Sequence, residues 1–185
     1  MILPIVAFGA PILREKCIEV TPDFPDLDIL IENMWETMYA AHGVGLAAPQ
    51  INKGIRLFLI DTSPFLEDEE SEVEALKMVF INPVITSETG DEWRFNEGCL
   101  SIPEIREDIS RKSLITIEYL DEKFEKHIQQ YEGISARVIM HEYDHLNGVL
   151  FIDKLSPLRK RVLKGKLMDI SKGKVDTAYK MRIVK

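Results

Sequence analysis

Ile134-Ser135-Ala136-Arg137-Val138-Ile139-Met140-His141-Glu142-Tyr143-Asp144-His145-Leu146-Asn147, followed by Gly148, is the stretch on which the reading of this chain depends. Ile134, Val138, His141 and His145 recur at three- and four-residue intervals, so a helix puts all four on one stripe. Gly148 should end it, because glycine accepts the left-handed conformation found just past a helix C-terminus. The first turns of that stripe are apolar, and the last carry two imidazoles four residues apart, able to grip one metal ion. Glu142 then projects beside the ion, where it can handle the protons of a metal-bound water. HExxH occurs by chance in unrelated chains, so the third ligand decides what such a helix does.

Two candidates stand for that ligand. A further histidine six residues after His145 would extend the motif, but Phe151 is there, and no glutamate follows Glu142 anywhere. Asp153 can supply a carboxylate, although its place just beyond the helix suits a cap or an ion pair with a neighbouring base. Cys99, in Glu97-Gly98-Cys99-Leu100-Ser101, is the favoured ligand. Against that stands the ordinary role of cysteine as a small buried apolar residue. Cysteine plus two histidines leaves the fourth position open, as a catalytic site requires. Such a site keeps net positive charge, lowers the pKa of bound water, and lets Glu142 serve as general base and then acid. Asp144 is a candidate for orienting an imidazole, with solvent exposure an equal alternative.

Working outward, Leu27, Leu30, Ile31, Met34, Met38 and Ala41 predict an amphipathic helix over 26–41, closed at His42-Gly43 with the glycine left-handed. A strand follows over 55–60, and another over 79–86 interrupted by Asn82-Pro83, hence at an edge or bulge. Residues 115–120 and 124–128 flank Asp121-Glu122-Lys123 as a β-hairpin. The acidic run at 67–74 reads as a mobile surface loop. A third helix should start after Ser156-Pro157, with Leu158, Val162, Leu167 and Ile170 toward the body. Strands and helices without βαβ alternation make the class α+β.

At 185 residues, 45% hydrophobic and 29% charged, the chain is sized for one soluble globular domain. We expect a catalytic body over about 1–155 and a basic helix and tail over about 156–185. Residues 154–185 hold eleven Lys or Arg against Asp169 and Asp176, a net of +9 within a total of −8, so the remainder carries −17. The tail reads first as a solvated helix, and second as a contact for an acidic partner such as nucleic acid. No apolar run approaches a membrane span. The start has no basic leader and includes Pro4, and the two cysteines, Cys17 and Cys99, fit reduced thiols, so the expected location is the cytoplasm. Gly43-Val44-Gly45-Leu46-Ala47-Ala48 formally matches a dinucleotide fingerprint. A helix precedes it and Pro49-Gln50 follows, so no nucleotide cofactor is expected.

Three segments in order, Gly43-Val44-Gly45-Leu46-Ala47-Ala48-Pro49-Gln50, Glu97-Gly98-Cys99-Leu100-Ser101 and His141-Glu142-Tyr143-Asp144-His145-Leu146-Asn147-Gly148, resemble the motifs of peptide deformylase. Gly9-Ala10-Pro11-Ile12-Leu13-Arg14 is similar to the family's N-terminal segment. One departure is Met140, where glutamine commonly precedes the first histidine. The resemblance covers about 4–155. It implies antiparallel sheets around a central metal-bearing helix, with a C-terminal helix added. It implies removal of formyl from the N-terminal formyl-methionine of nascent polypeptides, with release of formate. By the same resemblance Cys99, His141 and His145 bind the metal and Glu142 moves the proton. The Gln50 side chain and the Leu100 N–H meet the oxyanion. Val44, Ile134 and Val138 form an apolar pocket, and Gly45, Glu97 and Gly98 meet the peptide. Arg106 orients Glu97 or lines the groove. The implied ion is Fe2+, replaceable by Zn2+, Ni2+ or Co2+. The implied partners are N-formyl-methionyl peptides and, through the basic segment, the ribosome. The rivals are a zinc endopeptidase using Asp153 and a non-catalytic metal-binding module docked by its tail.

Overall fold

Twenty-three residues of one strand, Lys77–Cys99, and nineteen of the next, Ile102–Leu120, form the backbone of the architecture, seen here in a computed structural model that describes residues 1–65 and 75–184. They are numbered β4 and β5. A five-stranded antiparallel sheet is built on them, in the order β2 (Gly45–Ala47), β3 (Leu57–Asp61), β4, β5, β6 (Lys126–Glu132). A separate two-stranded parallel pair joins β1 (Ile5–Val6) to β7 (Met181–Arg182). Helix α1 is Leu27–Ala40, α2 is Gly133–Leu146 and α3 is Pro157–Ser171, giving the α+β class. The acidic run at 67–74 lies outside the described residues.

The β4–β5 hairpin was legible only at its far end. Glu88 to Glu92 faces solvent and offers no apolar alternation to read. On β5 the inward positions after Ile105 are Glu107, Ile109 and Arg111, so the period of two exists but two of its members are charged. Asn82-Pro83 does mark a bulge, with the register shifting between Ile81 and Val84 and Asn82 at φ 50°. The strand is nevertheless internal, paired to β3 on one side and β5 on the other.

Helix α2 carries the HExxH segment and packs on β2, β3, β5 and β6. Ala136, Val138, Ile139 and Met140 enter a core with Phe58, Phe80 and Ile117. Met140 is buried there among apolar neighbours, so it acts as packing. Gly148 closes the helix at φ 70°, where a Cβ would lie 2.5 Å from the Arg14 carbonyl oxygen. At the end of α1 the left-handed residue is His42, at φ 54°, and not Gly43. Gly43 is needed for space: a Cβ would come within 2.8 Å of Leu100 Cδ1.

Helix α3 is capped by Ser156, whose hydroxyl accepts from the Arg159 N–H at 3.3 Å, and Pro157 opens its first turn. It buries Leu163, Leu167 and Ile170. Leu158 and Val162, expected inward, are 72% and 62% exposed. The cause is that Arg159 lies between them and turns its face to the body, chelating Glu107 on β5 at 2.6–2.9 Å. No helix among the described residues is long and apolar enough to cross a membrane.

Candidate metal centre

Cys99 closes β4 at the tip of a two-residue hairpin, paired with Ile102 across Leu100-Ser101. That tip reaches over α2, and Cys99 Sγ lies 3.3 Å from His145 Nε2. Cys99, His141 and His145 each offer one ligand atom, all within 4.8 Å of one another. Three such donors around a tetrahedral ion, at bond lengths of about 2.0–2.3 Å, would stand about 3.5 Å apart. Asp153 is elsewhere: its carboxylate caps the Leu150 N–H at 2.8 Å and pairs with Arg14.

The imidazoles are aimed differently. His141 Nδ1 meets Glu97 Oε2 at 3.0 Å, so a Nδ1–H donates there and Nε2 is left to bind metal. Its ring also stacks on Phe151, with centroids 6.0 Å apart. His145 is held by burial, and its Nδ1 has no partner among the described residues. Burial resists protonation of His141, but Cys99, Glu97 and Glu142 together raise its pKa to about 10. Burial and the neighbouring His141 push His145 well below the ordinary value. A thiol and two imidazoles must give up their protons to bind a divalent cation, so occupancy of the site depends on pH.

Glu97 anchors the arrangement. Its Oε1 accepts from Arg111 Nε at 2.7 Å and Arg137 Nη1 at 3.0 Å, and its Oε2 from Arg111 Nη2 at 3.0 Å besides His141. Burial opposes ionisation, yet the hydrogen bonds from His141 and Arg111 hold this carboxyl well below the usual carboxylate range. The arginines are held in turn. Arg111 Nη1 donates to Asp144 at 2.7 Å, and Arg137 donates to the Ile109 and Trp93 carbonyls and stacks on the Trp93 ring. Asp144 therefore pairs with Arg111 and Lys154 and touches no imidazole. Arg106 bonds to Asn96, not to Glu97. Sequence reading missed Arg111 and Arg137, because a charged residue on a strand or helix reads as a solvated one.

Glu142 is buried beside the ligands, and its Oε2 has no hydrogen-bond partner among the described residues. Burial pushes its pKa up to about 7, with His141 pulling the other way. Gly45 makes room for it: a Cβ there would overlap Oε1 and sit 2.8 Å from Cδ. Gln50 lies in the turn after β2, where the Ala47 N–H donates to its Oε1 at 2.8 Å. That bond fixes the amide's orientation and leaves Nε2 facing Cys99 Sγ at 3.5 Å and Ser101 Oγ at 3.3 Å.

A cleft of about 650 Å³ opens on this centre, lined among others by Val44, Gly45, Gln50, Gly98, Leu100 and Val138. Ile134 does not line it. It shares the helical stripe of His141 but sits seven residues earlier, about 10 Å back along the axis. The convergent thiol and imidazoles, together with the unpartnered carboxylate oxygen of Glu142, fit a metal ion with an open coordination position.

Residues 2–161 match the family model described as polypeptide deformylase. The chain belongs to the polypeptide deformylase family. It is similar to the peptide deformylase of Christiangramia forsetii, 58% identical over 188 aligned positions that cover 98% of this chain and 96% of that one. The peptide deformylase of Flavobacterium johnsoniae is 52% identical with the same coverage. Among solved structures, a peptide deformylase from Legionella pneumophila superposes with a TM-score of 0.81 at 36% identity, covering 94% of this chain and 98% of that one. As a deformylase the chain is a metal-dependent hydrolase that takes the formyl group from the N-terminus of nascent polypeptides.

Proposed function

We propose that Cys99, His141 and His145 hold one divalent ion, Fe2+ in the native protein, at which Glu142 drives hydrolysis of N-formyl-methionyl peptides. The observation that carries this is the convergence of the thiol and two imidazoles beside a buried, unpartnered carboxylate oxygen. When bound, the ion supplies Lewis acidity and a water of lowered pKa. A soft thiolate with two imidazoles suits ferrous iron and equally admits zinc, nickel or cobalt.

The residues divide the work. Glu142, with a pKa near 7, accepts the proton of the attacking water and returns it to the departing methionine nitrogen. Gln50 Nε2, locked by the Ala47 N–H, donates to the formyl oxygen as it becomes an oxyanion, together with the Leu100 N–H. A preorganised donor of this kind is commonly worth about 3–4 kcal/mol in the transition state. Val44 and Val138 wall the methionine pocket, while the Gly45 and Gly98 backbone runs beside the extended peptide. Glu97 serves from behind, orienting His141. The whole chain acts as one catalytic domain in the cytoplasm. The exposed Arg161, Lys164 and Lys166 of α3 offer charge to the ribosome. Unchanged salt-sensitive ribosome pull-down after reversing those three charges would remove that contact.

The deciding measurement is formate release from a formyl-Met-Ala-Ser peptide under nitrogen, with ferrous-loaded protein and mass spectrometry of the peptide. Wild type should remove only formyl. Glu142→Ala should lose about 10³-fold in rate, at the middle of the range for general acid–base groups, and Cys99→Ala should lose both ion and rate. Intact substrate with the ion confirmed in place would overturn the assignment.

A further inference from the structure

The chain beyond α3 returns to the active site. Gly173, at φ 73°, reverses it, and Val175, Met181 and Ile183 pack against the core of Ile102, Ile105 and Phe151. Strand β7 then pairs with β1 through Ile5 N–H to the Lys180 carbonyl at 2.9 Å and Ala7 N–H to the Arg182 carbonyl at 3.0 Å. Between α3 and β7, Asp176, Thr177, Ala178 and Tyr179 line the cleft that opens on the metal ligands. The family model ends at residue 161, and the similar deformylases align with 98% of the chain.

Its contact with the site is specific. The Tyr179 hydroxyl donates to the Leu100 carbonyl at 2.7 Å, and Thr177 Oγ1 donates to the Tyr179 carbonyl at 2.7 Å, bracing the turn that presents the ring. Next to it, the Phe8 N–H donates to the Ser101 carbonyl at 2.8 Å. Both carbonyls of the hairpin tip beyond Cys99 are thus held from outside, one by the C-terminal segment and the other by the continuation of β1 that this segment pairs with. With Gln50 Nε2 at Ser101 Oγ these contacts fix the two-residue tip, and its peptide planes set where Cys99 Sγ and the Leu100 N–H point.

We propose that segment 174–182 is part of the active site, with Tyr179 a positioning residue that holds the Leu100 carbonyl and thereby aims the Cys99 thiolate and the Leu100 N–H. Residues 176–178 form the adjoining wall of the substrate groove. The inference rests on the deformylase mechanism above.

The test compares full-length wild type, Tyr179→Phe and Tyr179→Ala. Tyr179→Phe keeps the ring and removes one hydrogen bond, so kcat on formyl-Met-Ala-Ser should fall about five- to tenfold, the order expected for one such bond, with KM nearly unchanged. The melting temperature should stay near wild type, while the thiolate-to-cobalt absorption band of the cobalt-substituted protein should shift. Tyr179→Ala, which also opens the wall, should raise KM as well. A Tyr179→Phe protein with wild-type kcat and cobalt spectrum overturns the proposal, and so does a rate loss that merely follows a collapse in melting temperature. If wild type releases no formate, the deformylase mechanism fails by itself, and the cobalt band alone then decides Tyr179.

Discussion

The two halves of the candidate metal centre are built on opposite plans. His141, Glu142 and His145 ride one helix, and a single turn of local geometry brings them together. Cys99 and Leu100 sit at the tip of a hairpin whose strands run 23 and 19 residues, and their aim depends on Gln50, Phe8 and Tyr179, all distant in sequence. Glu97 joins the halves, since it lies two residues before Cys99 and grips His141. A helical ligand pair is cheap to encode and hard to misplace, whereas a strand-borne ligand is only as well placed as its remote supports.

That contrast predicts which substitutions hurt most. Glu97→Ala should be the severest test, because it strips the buried Arg111 and Arg137 of their shared carboxylate and frees His141. Loss of one partner from a buried ion pair costs about 3–5 kcal/mol, and loss of an orienting contact lowers metal affinity about 10–100-fold. Thermal melts and metal titration should show both losses. A near-normal melting temperature would mean that the two halves stand independently.

Gly45→Ala should act next, and on one half only. The new methyl would overlap the Glu142 carboxylate, whose atoms are the nearest to it. We expect kcat to fall about 100-fold, the low end for a displaced general base, with metal content unchanged. A variant that loses metal in proportion to rate would show that Glu142 and the ligands are not separable.

The smallest effect concerns the brace at the end of α2. Arg14 donates to the Gly148 carbonyl and pairs with Asp153. Burial works against the Asp153 charge, but Arg14 holds its carboxyl below the ordinary value of 3.8. A depressed carboxyl adds stability above its unfolded value and loses it as the pH falls through the folded one. The pair is partly exposed, so Arg14→Met should cost only about 1 kcal/mol or less at pH 7. The gap in melting temperature between variant and wild type should close below the ordinary carboxylate pKa. A gap constant from pH 7 to pH 2 would assign the role of Arg14 to packing.

The sequence alone determined the helix that bears the site, its two imidazoles, its glutamate and the glycine that ends it. It also favoured Cys99 over Asp153 as third candidate ligand, and it carried the three ordered segments that mark a deformylase. All of these are encoded over a few contiguous residues, where a period of 3.6 or a short motif is enough. The tertiary structure decided the rest: that Glu97, Arg111 and Arg137 form a buried ion network, that Ile134 falls short of the cleft, and that Arg159 rotates α3 so that Leu163 is buried and Leu158 is not. It also decided that residue 179 reaches residue 100. Buried charges look solvated in a sequence because their charged partners lie 14 to 40 residues away in the Glu97 network, and no local pattern records a partner at that distance.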